Sequence, residues 1–424
     1  MFSFLAVFTL SCKDDENTVT TPVTKGEETL TGSITANRTL NANTIYTLNN
    51  FVYVEDGITL TIEPGTIIKG GPKASKGALI VRRGGKIMAE GTKEKPIVFT
   101  SSQPKGSRAP GDWGGIIISG KAPFNQAGEG SVEGGPVAPY GGTVANDNSG
   151  VLKYVRIEFA GVALEPDKEI NGLTLNAVGS GTTIDYVQVS FGGDDAFEWF
   201  GGAVNAKHLI AYKTTDDMFD TDYGFSGKVQ YVLGVSDPNL SDLIGASNGF
   251  ESDNDGNGSV LTPLTTTMFS NATLIGPVTP GTGQKFGQGA HLKKGTSMSI
   301  YNSVITGWDK AITLDGGVVE GYAAAGNINI KNTVVVGTIN KASASTTAFD
   351  ATAWFNTPAF NNMVKTQAEL GLGTAAPFMP AANSMLLTGG ANVTGFENTT
   401  FRGAFGTTNW ADGWANFDPQ NADY

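Results

Sequence analysis

Gly57-Ile58-Thr59-Leu60-Thr61-Ile62-Glu63-Pro64-Gly65-Thr66-Ile67-Ile68 is echoed downstream by Gly77-Ala78-Leu79-Ile80-Val81-Arg82-Arg83-Gly84-Gly85-Lys86-Ile87. Setting Leu60 over Leu79 and Gly65 over Gly84 shifts the chain by 19 residues. Each unit holds two short strands of alternating apolar residues about a glycine turn. Such a unit is one rung of a coil: it cannot bury its own inner face and is stable only when stacked on neighbours. Farther along, Tyr186-Val187-Gln188-Val189, His208-Leu209-Ile210-Ala211 and Gln230-Tyr231-Val232-Leu233 each begin 22 residues after the one before. Asn271-Ala272-Thr273-Leu274, Asn302-Ser303-Val304-Ile305 and Asn332-Thr333-Val334-Val335 follow at spacings of 31 and 30, which fit a rung with a loop at one corner. The recurring Asn points to a ladder of side-chain amides running from rung to rung. Rungs about 4.8 Å apart would stack roughly ten to twelve coils into a rod of about 50 to 60 Å. A propeller blade needs about 40 residues or more, twice this period. The sequence therefore reads as all-β, a right-handed parallel β-helix solenoid over residues 31–345.

Composition agrees. The 424 residues include 57 Gly, 40 % are apolar and only 16 % are charged, a balance that suits strands and turns rather than helices or disorder. The net charge of −12, with only six Arg, leaves no basic stripe to displace counterions, so nucleic acid is not expected as a partner. An acidic surface also repels anionic polymers unless a divalent cation bridges the two. Only two His, His208 and His291, are present, so zinc sites and His-based nucleophilic catalysis are poorly supplied. Nothing in the sequence suggests an organic cofactor.

The lone cysteine, Cys12, follows the apolar run Phe2 to Leu10, too short to span a bilayer but long enough for a secretory core. Thr9-Leu10-Ser11-Cys12 resembles a lipobox, which implies cleavage and diacylation at Cys12. Lys13-Asp14-Asp15-Glu16 resembles the acidic export signal of Bacteroidetes lipoproteins. Residues 1–12 are thus expected to be a lipoprotein signal peptide and 13–30 an acidic tether. Together they place the protein on the outer membrane, lipid-anchored and facing outward.

The last segment, residues 346–424, departs from the repeat. A short helix is expected between Asn361 and Leu370. The aromatic, glycine-rich stretch from Phe401 through Trp410 and Trp414 is expected to cap the open end of the solenoid, which otherwise exposes unpaired strands.

Several phrases then stand out: Leu60-Thr61-Ile62-Glu63-Pro64-Gly65-Thr66, Pro96-Ile97-Val98-Phe99-Thr100, Gly111-Asp112-Trp113-Gly114-Gly115, Glu198-Trp199-Phe200-Gly201-Gly202 and Phe401-Arg402-Gly403-Ala404-Phe405. Over residues 30 to 424 the chain resembles a family of secreted or lipid-anchored parallel β-helix proteins of the pectin-lyase-like superfamily. The resemblance implies the fold. It implies no single activity, because the superfamily holds lyases, hydrolases, adhesins and inert scaffolds.

Chemistry is best sought in an acidic patch. Asp194 and Asp195 lie 22 residues before Asp216 and Asp217, one rung in this part of the chain, so the two pairs should stack at one corner. Glu198, Asp220 and Asp222 extend the patch. Carboxylates stacked about 5 Å apart repel unless a proton or a cation intervenes. Three outcomes are open: calcium held by hard oxygens, a carboxyl of raised pKa acting opposite an ionised partner in glycoside cleavage, or Asp residues capping their own turns. Polygalacturonase-type hydrolases add a third Asp, a Gly-His-Gly and an Arg-x-Lys, and these do not assemble around Gly193-Asp194-Asp195. Asp253-Asn254-Asp255-Gly256-Asn257 matches the first half of a calcium loop, with Asp253, Asp255 and Asn257 as ligands, although Leu264 stands where a bidentate Glu is needed. Trp199 and Tyr223 are candidates for lining a glycan groove beside the corner. The leading expectation is a surface lipoprotein whose β-helical face binds a glycan or an outer-membrane receptor. The alternatives are a calcium-dependent polysaccharide lyase or hydrolase acting through Asp194, Asp195, Asp216 and Asp217, and a structural or adhesive rod.

Overall fold

The computed structural model describes Met1 and residues 25–424, except 133–134, 166–167, 342–344 and 346. Cys12 and the acidic run after it lie outside the described residues. Among the described residues no helix is long and apolar enough to cross a membrane.

Each turn of the chain lays down three short strands, and each strand pairs in parallel with its equivalent one coil on. Thr59–Ile62 pairs with Lys86–Glu90, Ile67–Gly70 with Ile97–Thr100, and Ala78–Val81 with Ile116–Ser119. Stacking continues to Met363–Val364, so among the described residues 26 strands form one hydrogen-bonded network. The chain is an all-β parallel solenoid, as the repeat implied.

The registers differ in detail from the sequence alignment. Leu60 faces Ile87, and Leu79 faces Val52, so Leu60 and Leu79 stand on different faces of the rod. Every face carries the same apolar alternation, so the pattern alone cannot tell one face from another. Downstream, Val187 faces Leu209 and Leu209 faces Val232, so the second of these rungs has one residue more than the first. The coil also begins before residue 31, because Gly26–Ile34 already pairs with Thr44–Val54.

Alternation directs every second side chain into the rod. Phe197, Trp199, Phe219, Phe225, Phe250 and Phe269 are fully buried there. Phe197 lies 5.5 Å from Phe219 and Phe219 5.7 Å from Phe250, centroid to centroid. Each ring is worth most when the next coil covers it, which makes the stack cooperative.

The recurring Asn has a backbone cause. Asn271, Asn302, Asn332 and Asn361 occupy the left-handed region, with φ of 59°, 50°, 54° and 53°. The same corner position upstream holds Tyr154, Tyr186, His208 and Tyr231, at 51° to 60°. Asn tolerates this conformation through its short polar side chain, whereas bulkier residues are strained in it. The four rings offset that strain by stacking, with centroids 4.4, 4.1 and 5.0 Å apart. The expected amide ladder is mostly absent. Asn361 donates to Asn332 at 3.0 Å, but Asn271 donates to Phe401 O at 3.1 Å and Asn302 to Ala391 O at 2.9 Å.

Those bonds lead to the clearest correction: the aromatic C-terminal segment is a strap along the flank, not an end cap. Arg402 donates to Asn332 O at 2.8 Å and Gly403 N to Asn302 O at 2.7 Å. Farther on, Trp410 meets His208 and Trp414 meets Tyr186, Asn416 N donates to Gln188 Oε1 at 2.8 Å, and the Tyr424 hydroxyl donates to Glu158 Oε1 at 2.7 Å. The strap thus runs back down the rod. The reason is that the outward residues Ile210, Tyr212, Leu233 and Val235 are themselves apolar, and Phe405, Ala411 and Trp414 cover them. The last coil is covered instead by Ala351–Phe355, whose Phe355 is buried in the main core beside Val319 and Ala323 of the helix Gly317–Ala325. Of the helix expected over 361–370, only Gln367–Leu370 forms; Met363–Val364 joins the coil as a strand on Val334–Val335.

Candidate functional site

The site lies on the outer surface of one face of the rod. In Phe197–Phe200 and Phe219–Asp222 the even positions point outward, so Glu198 faces Asp220 across one rung. The column continues through Glu251 and His291 to Thr313. Beside it runs a second column, in which Phe200 faces Asp222. The corner just before these strands holds Asp194, Asp195, Asp216 and Asp217.

The two Asp pairs do stack, but their members differ in role. Asp195 Oδ1 accepts from Asp217 N at 2.8 Å, Asp217 Oδ1 accepts from Asn248 N, and Asn248 Oδ1 accepts from Gln288 N at 2.8 Å. Each carboxylate or amide thereby satisfies the backbone of the coil above it. Asp195 and Asp217 therefore act as a structural ladder through one oxygen each. Asp194 and Asp216 instead line an outward recess of about 300 Å³ with Glu169, Asp242 and Thr215.

The carboxylates come close enough to share cations. Oxygens of Asp194, Asp195 and Asp216 lie within 4.8 Å of one another, as do those of Asp195, Glu198 and Asp220, and those of Asp217, Asp220 and Glu251. Asp220 belongs to two of these groups, and its Oδ1 is buried with no hydrogen-bond partner. Burial, reinforced by neighbouring carboxylates, raises Asp195, Asp217 and Asp220 well above the usual carboxylate range. Asp216 and Asp222 are pushed up to about 7, chiefly by burial. Lys293 is the closest cation, in contact with Glu251 and 4.0 Å from Asp253, and Lys294 sits 2.8 Å from Asp253. Burial alone would lower Lys293, but Glu251 and Asp253 outweigh it and hold the amine above its ordinary range. Two lysines do not balance this many buried acids, and an orphan carboxylate oxygen inside a hard-oxygen cluster fits a calcium ion.

Other expected residues fall elsewhere. Trp199 is fully buried, stacked on Phe197 and Phe225 inside the rod, and cannot touch a ligand. Alternation about the outward Glu198 sends its neighbours Phe197 and Trp199 inward. Phe200 is the outward aromatic, 5.5 Å from Tyr223. In Asp253-Asn254-Asp255-Gly256-Asn257 the two acids face different partners, Asp255 its own turn and Asp253 two lysines. Asp255 Oδ1 accepts from Asn257 N at 2.8 Å and Ser259 N at 3.2 Å, closing its own turn; burial would raise its carboxyl, but the Ser259 hydroxyl, which donates to Oδ2, and these backbone bonds hold it below the usual range. Asp253 belongs instead with Lys293 and Lys294 beside the main column.

Neither the repeat nor the spacing of the acids points to His291, Lys293 or Asn171, which the fold brings to the wall. His291 Nε2 lies 3.0 Å from Asp315 Oδ2, and Nδ1 is 3.8 Å from Glu251. The rungs from Asp220 to Glu251 and from Glu251 to His291 carry long corner loops, so no constant period connects these residues. Asn171 donates to Glu198 Oε2 and, at 3.3 Å, to Thr174 Oγ1.

A solenoid of parallel strands stacked coil on coil defines a class, the parallel β-helix proteins. Within that class, a family model described as a pectate-lyase-like β-helix domain matches residues 32–415, and the chain belongs to this family. A solved structure described as pectate lyase Pel9A is similar at a TM-score of 0.45 and 12 % identity, over 91 % of this chain and 97 % of that one. No curated protein matches the chain.

Proposed function

We propose that this protein is a cell-surface glycan-binding β-helix, anchored through a lipidated Cys12, whose acidic wall engages its ligand through bound calcium. The observation that carries the reading is Asp220, shared by two carboxylate groups and left with a buried, unpartnered Oδ1. A calcium ion there would be held by Asp220 with Asp195 and Glu198, or with Asp217 and Glu251. The ion would neutralise the wall and supply open coordination sites for the carboxylates or hydroxyls of a polysaccharide. Calorimetric titration of the full chain with calcium should give heat and a raised melting temperature. Polysaccharide binding should follow calcium and disappear with chelator. A titration without heat, together with an unmoved melting temperature, would remove the metal from the reading.

A second reading is polysaccharide cleavage, favoured by the amine of Lys293 beside the wall and by Asp216 at about 7. A lyase base must accept a proton, and Lys293 is held charged by Glu251 and Asp253, which favours binding over turnover. Incubation with the polysaccharides that bind, read for unsaturated or reducing ends, separates the two: binding without product supports the binder.

A further inference from the structure

Next to the acidic wall, on the same outer face, lies a cavity of about 260 Å³ that the calcium reading does not use. Ile117, Ile170 and Val132 give it apolar walls, Tyr140, Phe200 and Tyr223 bring aromatic rings, and Thr174 and Asn176 form polar floor positions. Asn176 is the informative residue. It is 1 % exposed, and neither its Oδ1 nor its Nδ2 has a hydrogen-bond partner. A buried amide without partners forfeits the hydrogen bonds to water that it makes in the unfolded chain. At this position a Leu would fill the same shape without that cost, so an amide facing the cavity is there for something that enters it.

The chemistry of the lining restricts what that is. One donor and one acceptor on the same amide, beside aromatic rings and a threonine hydroxyl, suit a ring bearing vicinal hydroxyls. Among the described lining residues Glu169 is the one charged group, and its carboxylate disfavours an anionic sugar. The volume lies below the roughly 300–1,000 Å³ of sites for drug-sized ligands, which leaves room for one ring and not for a chain. Register joins the cavity to the wall: Thr174 faces Glu198 and Asn176 faces Phe200 across one rung, and Asn171 binds both Thr174 and Glu198. We infer that this cavity is a subsite for a single neutral sugar residue, placed one rung from the acidic wall. A glycan that leaves the cavity along the rod axis reaches Glu198 and then Asp220.

The inference rests on the glycan reading but not on calcium, and the test keeps the two apart. The full chain is titrated in chelator with glucose, galactose, mannose, xylose, arabinose, rhamnose and galacturonate, with saturation-transfer NMR and calorimetry as readouts. At least one neutral sugar should bind, and more tightly than galacturonate. Asn176→Leu should weaken it about tenfold, the value of one lost hydrogen bond in a closed site, while the melting temperature stays level or rises. Val132→Trp, which fills the cavity from its loop, should abolish binding in a folded protein. The same titration repeated with calcium in place of chelator should give the same affinity for the single neutral sugar, so loss of the calcium response and loss of the cavity are read separately. The inference is overturned if no neutral sugar binds, if galacturonate is preferred, or if both cavity variants bind as the parent does. A fall in melting temperature for Asn176→Leu, with sugar binding intact in Val132→Trp, would make Asn176 a structural residue instead.

Discussion

At the scale of single residues, the acidic wall makes the stability of the protein depend on pH and calcium. Asp216 and Asp222, pushed from the ordinary 3.8 up to about 7, keep protons in the folded state that the unfolded chain has released. Between about pH 4 and pH 7 the folded state therefore binds more protons, and stability falls as pH rises, levelling off above that window. The contribution is fully present below the unfolded value and lost as pH passes through the folded one. Each such carboxyl is worth on the order of a few kcal/mol across the window. In chelator the melting temperature should drop from pH 4.5 to pH 7.5, values chosen to lie near the ends of that window, about pH 4 to 7. Asp216→Asn should flatten the drop, and calcium should reverse it at the upper end. An apo melting temperature that rises across this window would contradict the buried acids. At Asp220 the expectation is sharper: Asp220→Asn removes a carboxyl whose ionisation burial penalises, so it should raise the apo melting temperature at the upper end of that window while erasing the calcium response.

At the scale of elements, the C-terminal strap is held by aromatic packing and by hydrogen bonds to the coil corners. Trp414 is 1 % exposed, packs edge-on against Tyr154 and Tyr186, and donates to Trp410 O at 2.8 Å. Truncation to Ala should cost about 3–5 kcal/mol, as large aromatic-to-Ala changes in cores do. Because the strap lies outside the coil, the loss should first appear locally. Limited proteolysis of Trp414→Ala should cut within residues 390–420 while the solenoid stays resistant, and simultaneous loss of both would show that the strap and coil unfold as one unit. The left-handed corner offers a second check. Asn302, with φ of 50°, bonds Ala391 twice. Asn302→Val forces a β-branched residue into that conformation and removes both bonds, and should lower stability by more than Asn302→Gly, which removes only the bonds. Equal losses would mean the backbone conformation is not the cause of the recurring Asn.

At the scale of the whole molecule, the rod would present two kinds of surface side by side: a cation wall and a neutral-sugar cavity, with the strap on the flank. If the chain is displayed on cells as proposed, Cys12→Ala should release it from the membrane fraction, and protease treatment of intact cells should remove the parent protein. A Cys12→Ala protein that stays membrane-bound would refute lipid anchoring through this residue.

The repeat of strand, glycine turn and strand by itself determined the solenoid, because any unit that cannot bury its own inner face must stack. The 22-residue step also determined that the two Asp pairs would meet at one corner, since that rung carries no insertion. Tertiary structure alone decided the rest. It divided the Asp pairs into a backbone ladder and an outward pair, because hydrogen bonds to the next coil have no trace in spacing. It brought Glu251, His291 and Lys293 to the wall, because corner loops of unequal length break the period while the strands they join stay in register. It also laid the C-terminal aromatics along the flank, because the apolar patch they cover is assembled from outward residues of separate coils.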